Sequence, residues 1–105
     1  MNDSDDFREL IFLTKIRDKA YKTKQMYNPN LISNLSKEAY DLYLIRMSIC
    51  DQLLEELDKE GITVEQIKDF VKNKVNKIRE RLNKAKNEIE TKFIQLSIKE
   101  WENIL

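Results

Sequence analysis

The sequence predicts an all-α fold: a bundle of three main helices with a long third helix and room for a short fourth. Three observations carry that prediction. Apolar residues recur at helical spacing along most of the chain. Gly61 and Pro29 are the only glycine and proline, so few positions break a helix. No segment is rich in strand-forming residues. The 105 residues suffice for one domain, 1–105, with a modest core.

The first helix is expected over about 5–25. Ser4 or Asp5 is placed to cap it, because a short side-chain oxygen accepts the unpaired N–H groups of the first turn. Phe7, Leu10, Ile11, Leu13, Thr14, Ile16, Ala20 and Tyr21 form a broad face expected to be buried. Lys15, Arg17, Lys19, Lys22 and Lys24 complement the negative end of the helix dipole. Tyr27-Asn28-Pro29-Asn30 then breaks the pattern, since Pro29 disfavours a helical Asn28.

The second helix spans about 36–59. Ser36 starts it, with Leu35 and Tyr40 placed for a hydrophobic staple. Leu42, Ile45, Ile49, Cys50, Leu53, Leu54 and Leu57 lie nearly all round it, which marks it as the central helix. Gly61 ends this segment, able to take the left-handed conformation past the C-cap.

The third helix opens with a capping box, Thr63 and Gln66, and with no later Gly or Pro it is expected to run over 63–95. Its apolar positions thin to Val71, Val75, Ile78, Leu82, Ala85 and Ile89, a seam close to that of a coiled coil. Ser97 with Glu100 suggests a second capping box and a short last helix over 97–105.

Composition excludes more than it assigns. The 19 basic and 19 acidic residues cancel, which argues against a general polyanion binder. Locally the charge is uneven: residues 51–66 are acidic and residues 68–86 basic. The chain has no histidine, and Cys50 is its one cysteine, so the usual general base, nucleophile–base pairs and metal clusters are missing. No disulfide within the chain is expected. Glu55, Glu56, Asp58 and Glu60 read as a solvated helix end and Cys50 as a small buried hydrophobe. A non-enzymatic protein with no catalytic residue, cofactor or metal is therefore expected. The absence of a signal sequence or a membrane-length apolar run points to a cytoplasmic, nucleoid-associated location, or a nuclear one in a eukaryote.

The stretch IKDFVKNKVNKI, Ile67 to Ile78, is the most informative. Its apolar stripe runs between Lys68, Lys72 and Arg79 on one side and Lys74, Lys77 and Arg81 on the other. A solvated face explains such flanks, and so does a protein interface. Phe70, Val71, Lys72, Lys74, Val75, Ile78, Arg79, Arg81, Leu82 and Ile89 are the candidate partner-binding residues. Val71, Val75, Ile78, Leu82 and Ile89 would supply the energy, and Lys72, Lys74, Arg79 and Arg81 the orientation. The helices flanking Gly61 also read superficially as a helix-turn-helix, so a small DNA-binding transcriptional regulator is one alternative and a homo-oligomeric coiled-coil adaptor another. Phe93 and Trp101 are expected in the core, with partner anchoring as the other option, and Tyr27 raises the same choice.

The same stretch resembles the long-helix motif of GINS subunits, helical components of the archaeal and eukaryotic replicative helicase assembly. Ile67, Phe70, Val71, Val75 and Ile78 match its apolar slots, and Lys68, Lys72, Lys74 and Lys77 its basic ones. Residues 27–32, Tyr27-Asn28-Pro29-Asn30-Leu31-Ile32, look like the family's polar-Pro-Glu-Leu-Leu loop, with Asn30 in place of the acid. Leu96-Ser97-Ile98-Lys99-Glu100 is similar to the short segment that follows the family's long helix. Asn73 and Asn76 depart from the motif, lysines stand where arginines are common, and the family's small β domain has no counterpart. The order of features matches the subunit type whose helical domain comes first. The resemblance implies an architectural subunit of a DNA replication complex. It would assemble with a paralogous helical subunit and the MCM helicase as a hetero-oligomer rather than a homodimer, with DNA contact at most indirect and no membrane.

Overall fold

The computed structural model describes residues 3–27 and 33–105. Among them are four helices and no strand: α1 (Asp3–Gln25), α2 (Lys37–Leu57), α3 (Val64–Leu82) and α4 (Glu88–Glu102). The expected Pro29 loop, and the family-like segment reaching Ile32, lie outside the described residues.

Local signals set most helix ends. The hydroxyl of Ser36 accepts the Ala39 N–H at 3.2 Å and starts α2. At α3 the Thr63 hydroxyl accepts from the Gln66 N–H at 3.2 Å while the Gln66 side chain accepts from the Thr63 N–H at 2.9 Å, a complete capping box. Gly61 sits at φ 71°, the left-handed turn that separates α2 from α3. At the first helix the structure differs from expectation. α1 begins at Asp3, so Ser4 and Asp5 lie within it rather than capping it.

The larger correction concerns the third helix. It does not run to residue 95 but stops at Leu82 with Asn83 as its C-cap, and α4 begins only after Asn87. Neither Gly nor Pro is needed. The Lys84 and Ala85 N–H groups donate back to Arg81 and Leu82 carbonyls at 3.0 and 3.3 Å, a tightened last turn. The Asn87 side chain then accepts from the Glu90 N–H at 2.8 Å, and the Glu90 carboxylate accepts from the Lys86 N–H at 3.2 Å. Asparagine competes for backbone groups in this way, which favours it at helix ends over interiors. Ser97 is not a cap. It lies inside α4, its hydroxyl donating to the Phe93 carbonyl at 3.0 Å. The fourth helix is thus a full element of 15 residues.

The fold-back decides the packing. α4 lies along α3, α1 lies along α2, and the two pairs meet through α2 against α4 and α1 against α3. One apolar cluster joins them. α2 supplies Ile45, Ile49, Cys50, Leu53, Leu54 and Leu57; α3 supplies Ile67, Val71 and Val75; α1 adds Ile16 and Ala20, and α4 adds Trp101. The Trp101 ring meets the Phe70 ring edge-on at 6.0 Å. Two side chains of α1 cap its neighbours. Arg17 donates to the Leu57 carbonyl at the end of α2 (3.0 Å), and Glu9 accepts from the Val64 N–H at the start of α3 (2.8 Å).

The molecule is flat, 51 × 36 × 19 Å, with a radius of gyration of 15.8 Å against about 13 Å for a compact chain of this length. A depth of 19 Å holds two helix layers, so each helix keeps one face outward. That corrects the expected broad buried face of the first helix. Leu13, Ile16 and Ala20 turn inward, while Phe7, Leu10, Ile11 and Tyr21 remain exposed.

Candidate functional site

The structure separates the residues that sequence reasoning grouped as one partner seam. Val71 and Val75 are buried in the chain's own core, and Phe70 packs against Trp101. Those three are taken up by α4 and not left for a partner: the seam expected to need a second subunit is filled by the folded-back helix. Lys74 lies over the Phe70 ring, 5.4 Å from its centroid. Arg79 pairs with Glu102 of α4. Lys72 stays exposed, and Leu82 is half-buried at the end of α3.

Three of the ten are brought together elsewhere. Ile89 stands on the outer side of the α4 N-terminus, 68% exposed, and with Phe93 and Leu96 it lines a groove of about 250 Å³ against the first turns of α2. Phe93 is 40% exposed. An adjoining depression of about 230 Å³ shares Phe93 and adds Leu44, Ile78 and Arg81. The positions 89, 93 and 96 follow helical spacing and build this stripe on α4. Charges of both signs surround the groove: Lys37 and Lys92, Glu38 and Asp41. The apolar floor with a mixed polar rim has the anatomy of a protein-docking surface. Sequence reasoning did not name Leu44 or Leu96 as site residues; Leu96 shares the α4 stripe with Ile89, and the packing of α2 on α4 places Leu44 beside Phe93. The spacing Ile89-Phe93-Leu96 is the available signal, and it is visible only once these residues are seen to share one helix.

A cleft of about 430 Å³ lies between α1, α2 and α4 beside Arg46, Cys50 and Glu100. Its polar groups are already engaged. Arg46 donates to both Glu100 oxygens at 3.3 Å and to the Tyr27 hydroxyl at 3.3 Å. Burial lowers the guanidinium pKa, but the bonds to Glu100 and Tyr27 outweigh it and hold the group above its ordinary value. The Tyr27 ring meets the Tyr43 ring at a tilt of 59°, centroids 4.9 Å apart, so it packs within the chain. Lys19 reaches the Asn103 carbonyl at 3.3 Å, an end-cap for α4. Burial, followed by the neighbouring Asp51, pushes the Cys50 thiol up, away from the thiolate that a nucleophile needs. Among the described residues no group of carboxylates and cysteine is placed to hold a metal ion.

The turn at Gly61 does not build a helix-turn-helix pair. α2 packs chiefly on α1 and α3 on α4, rather than on each other. Among the described residues no helix is long and apolar enough to cross a membrane. No protein-family model, curated protein or solved structure matches this chain.

Proposed function

We propose that this chain is a non-enzymatic, protein-binding subunit that receives an amphipathic helix of another protein in the groove between α2 and α4. The observation behind this reading is the large apolar surface left out of a core that is otherwise complete: Ile89 and Phe93 stand in water beside Leu96 and Leu44, rimmed by charge. Fully burying such a side chain is worth roughly 1.5–3 kcal/mol, and a partner helix recovers the share that the exposed fraction forgoes. The complementary rim charges select register and orientation.

The more specific form of the proposal is a GINS-like architectural subunit of a DNA replication complex, assembling with a paralogous helical subunit and the MCM helicase. Its support is the motif of residues 67–78 together with the helices, and no strand, among the described residues. In that form the exposed Lys72 remains a candidate for orienting a partner, whereas the buried Val71 and Val75 act through the fold alone.

The test is recovery of bound proteins from the native host with the tagged full chain, comparing it with Ile89→Asp and Phe93→Asp. The wild type is expected to bring down a second helical subunit with helicase components, and both variants to lose them while keeping their helical circular dichroism. Partners retained by both variants would remove the groove from the reading. Helical partners unrelated to replication would keep the groove and end the GINS-like form.

A further inference from the structure

The α2–α4 groove is not the only apolar surface left open. α1 carries a second stripe opposite its packed face: Phe7, Leu10, Ile11, Thr14 and Tyr21. Phe7 is 63% and Leu10 61% exposed, and Ile11 and Tyr21 are exposed as well. The offsets of 3, 4, 7 and 14 residues from Phe7 keep these side chains along one side of the helix over about 21 Å. The opposite side of the same helix holds Leu13, Ile16 and Ala20 against the bundle. A helix apolar on two sides has one side to spare.

Charge along the helix says what covers it. The first turns carry Asp3, Asp5 and Asp6 with no base before Arg8. The second half carries Lys15, Arg17, Lys19, Lys22 and Lys24 against Asp18 alone. Arg17 and Lys24 spend part of their charge on Asp58 and Asp51 of the same chain, but Lys15 and Lys22 form no ion pair among the described residues. A second copy of α1 laid antiparallel sets the acidic start of its sequence alongside the basic half of the first, twice, and runs the two helix dipoles antiparallel. A parallel copy superposes like charges. An isologous two-fold contact needs such self-complementarity, because the same surface meets itself.

We propose that the exposed face of α1 pairs antiparallel with α1 of a second copy of this chain, making a homodimer centred near Thr14, with Phe7 of each copy beside Tyr21 of the other. Residues 7 and 21 lie seven places on either side of Thr14, so the two aromatics meet at both ends of the contact. The contact is one helix wide, at the low end of specific interfaces (below ~1,200 Å²), so the dimer dissociates reversibly. It leaves the α2–α4 groove free and does not depend on a partner there, although it departs from the hetero-oligomer rather than homodimer that the GINS resemblance implies.

The experiment is sedimentation velocity on the full chain from low micromolar to submillimolar concentration, beside Leu10→Glu. The expected result is a reversible monomer–dimer equilibrium for the wild type, and a monomer with unchanged circular dichroism for Leu10→Glu, since residue 10 takes no part in the core. Orientation is read by mixing Phe7→Cys chains with Tyr21→Cys chains under mild oxidation; Cys50 is buried and stays out of the exchange. Disulfide dimers between the two kinds of chain are expected. A wild type that stays monomeric throughout overturns the proposal, as does a dimer that survives Leu10→Glu. Phe7→Cys chains that link preferentially to one another overturn it by showing parallel pairing. A monomeric wild type from which Leu10→Glu removes a different host protein overturns it too, and assigns the face to that protein.

Discussion

Trp101→Ala tests whether α4 belongs to the core of the isolated chain. The indole is 3% exposed and meets Phe70 edge-on, so it seals α4 onto α3. A buried aromatic removes roughly 150–250 Å² from water. At ~25 cal/mol per Å² that is about 4–6 kcal/mol for the whole side chain. Alanine keeps Cβ and the site relaxes in part, which brings the expected loss to about 3–5 kcal/mol. A domain of this size has about 5–15 kcal/mol in total, so the loss is a large share of its stability. The assay is urea unfolding followed by far-ultraviolet circular dichroism, because the substitution removes the only tryptophan. With a slope near 1.5 kcal/mol per M, the midpoint falls by about 2–3 M. The wild type supplies an independent reading, since buried Trp101 emits at short wavelength without any partner. A loss under about 1 kcal/mol, or the emission of a water-exposed indole in the wild type, would refute the fold-back and restore a long, straight third helix.

Two further outcomes follow from single side chains. Asn87→Ala removes the acceptor for the Glu90 N–H and should cost about 1 kcal/mol, read as a lower urea midpoint with little change in slope; no shift would mean that the break at 83–87 does not rest on this cap. Cys50 gives a pH dependence of known sign. Its thiol is raised by burial and then by Asp51, so above about pH 8.5 the unfolded chain loses this proton while the folded chain keeps it. Stability should therefore fall as pH rises from the unfolded thiol's pKa towards the folded one. Urea midpoints compared between about pH 7 and about pH 9.5 should fall further for the wild type than for Cys50→Ala, and equal slopes would count against the burial effect.

The parts of the candidate sites that the sequence disclosed were those carried by one helix at a time. The stripe of residues 67–78 was legible as an amphipathic face, and its basic flanks as exposed. What it packs against was not legible, because a periodic stripe reads the same whether it meets a neighbour in its own chain or another subunit. Hence Val71 and Val75 were reasonable partner residues by spacing and are core residues in the fold. Ile89 changed helices: counted on the third by continuity, it belongs to α4 and lines the α2–α4 groove with Phe93 and Leu96.

The sequence by itself determined the helical class and the ends of helices set locally: by a side chain bonding to its own neighbours at Ser36 and at Thr63 with Gln66, and by the positive φ that glycine adopts freely at Gly61. These interactions span three or four residues and need no tertiary partner. Only the tertiary structure decided that Asn83 to Asn87 turns the chain back, because a cap of about 1 kcal/mol competes with continued helix and burial of Trp101 tips the balance. Only it decided which side of α1 faces inward. Leu13, Ile16 and Ala20 compete with Phe7, Leu10, Ile11 and Tyr21 for the same neighbours, and two layers of helices can cover one side of α1 but not both.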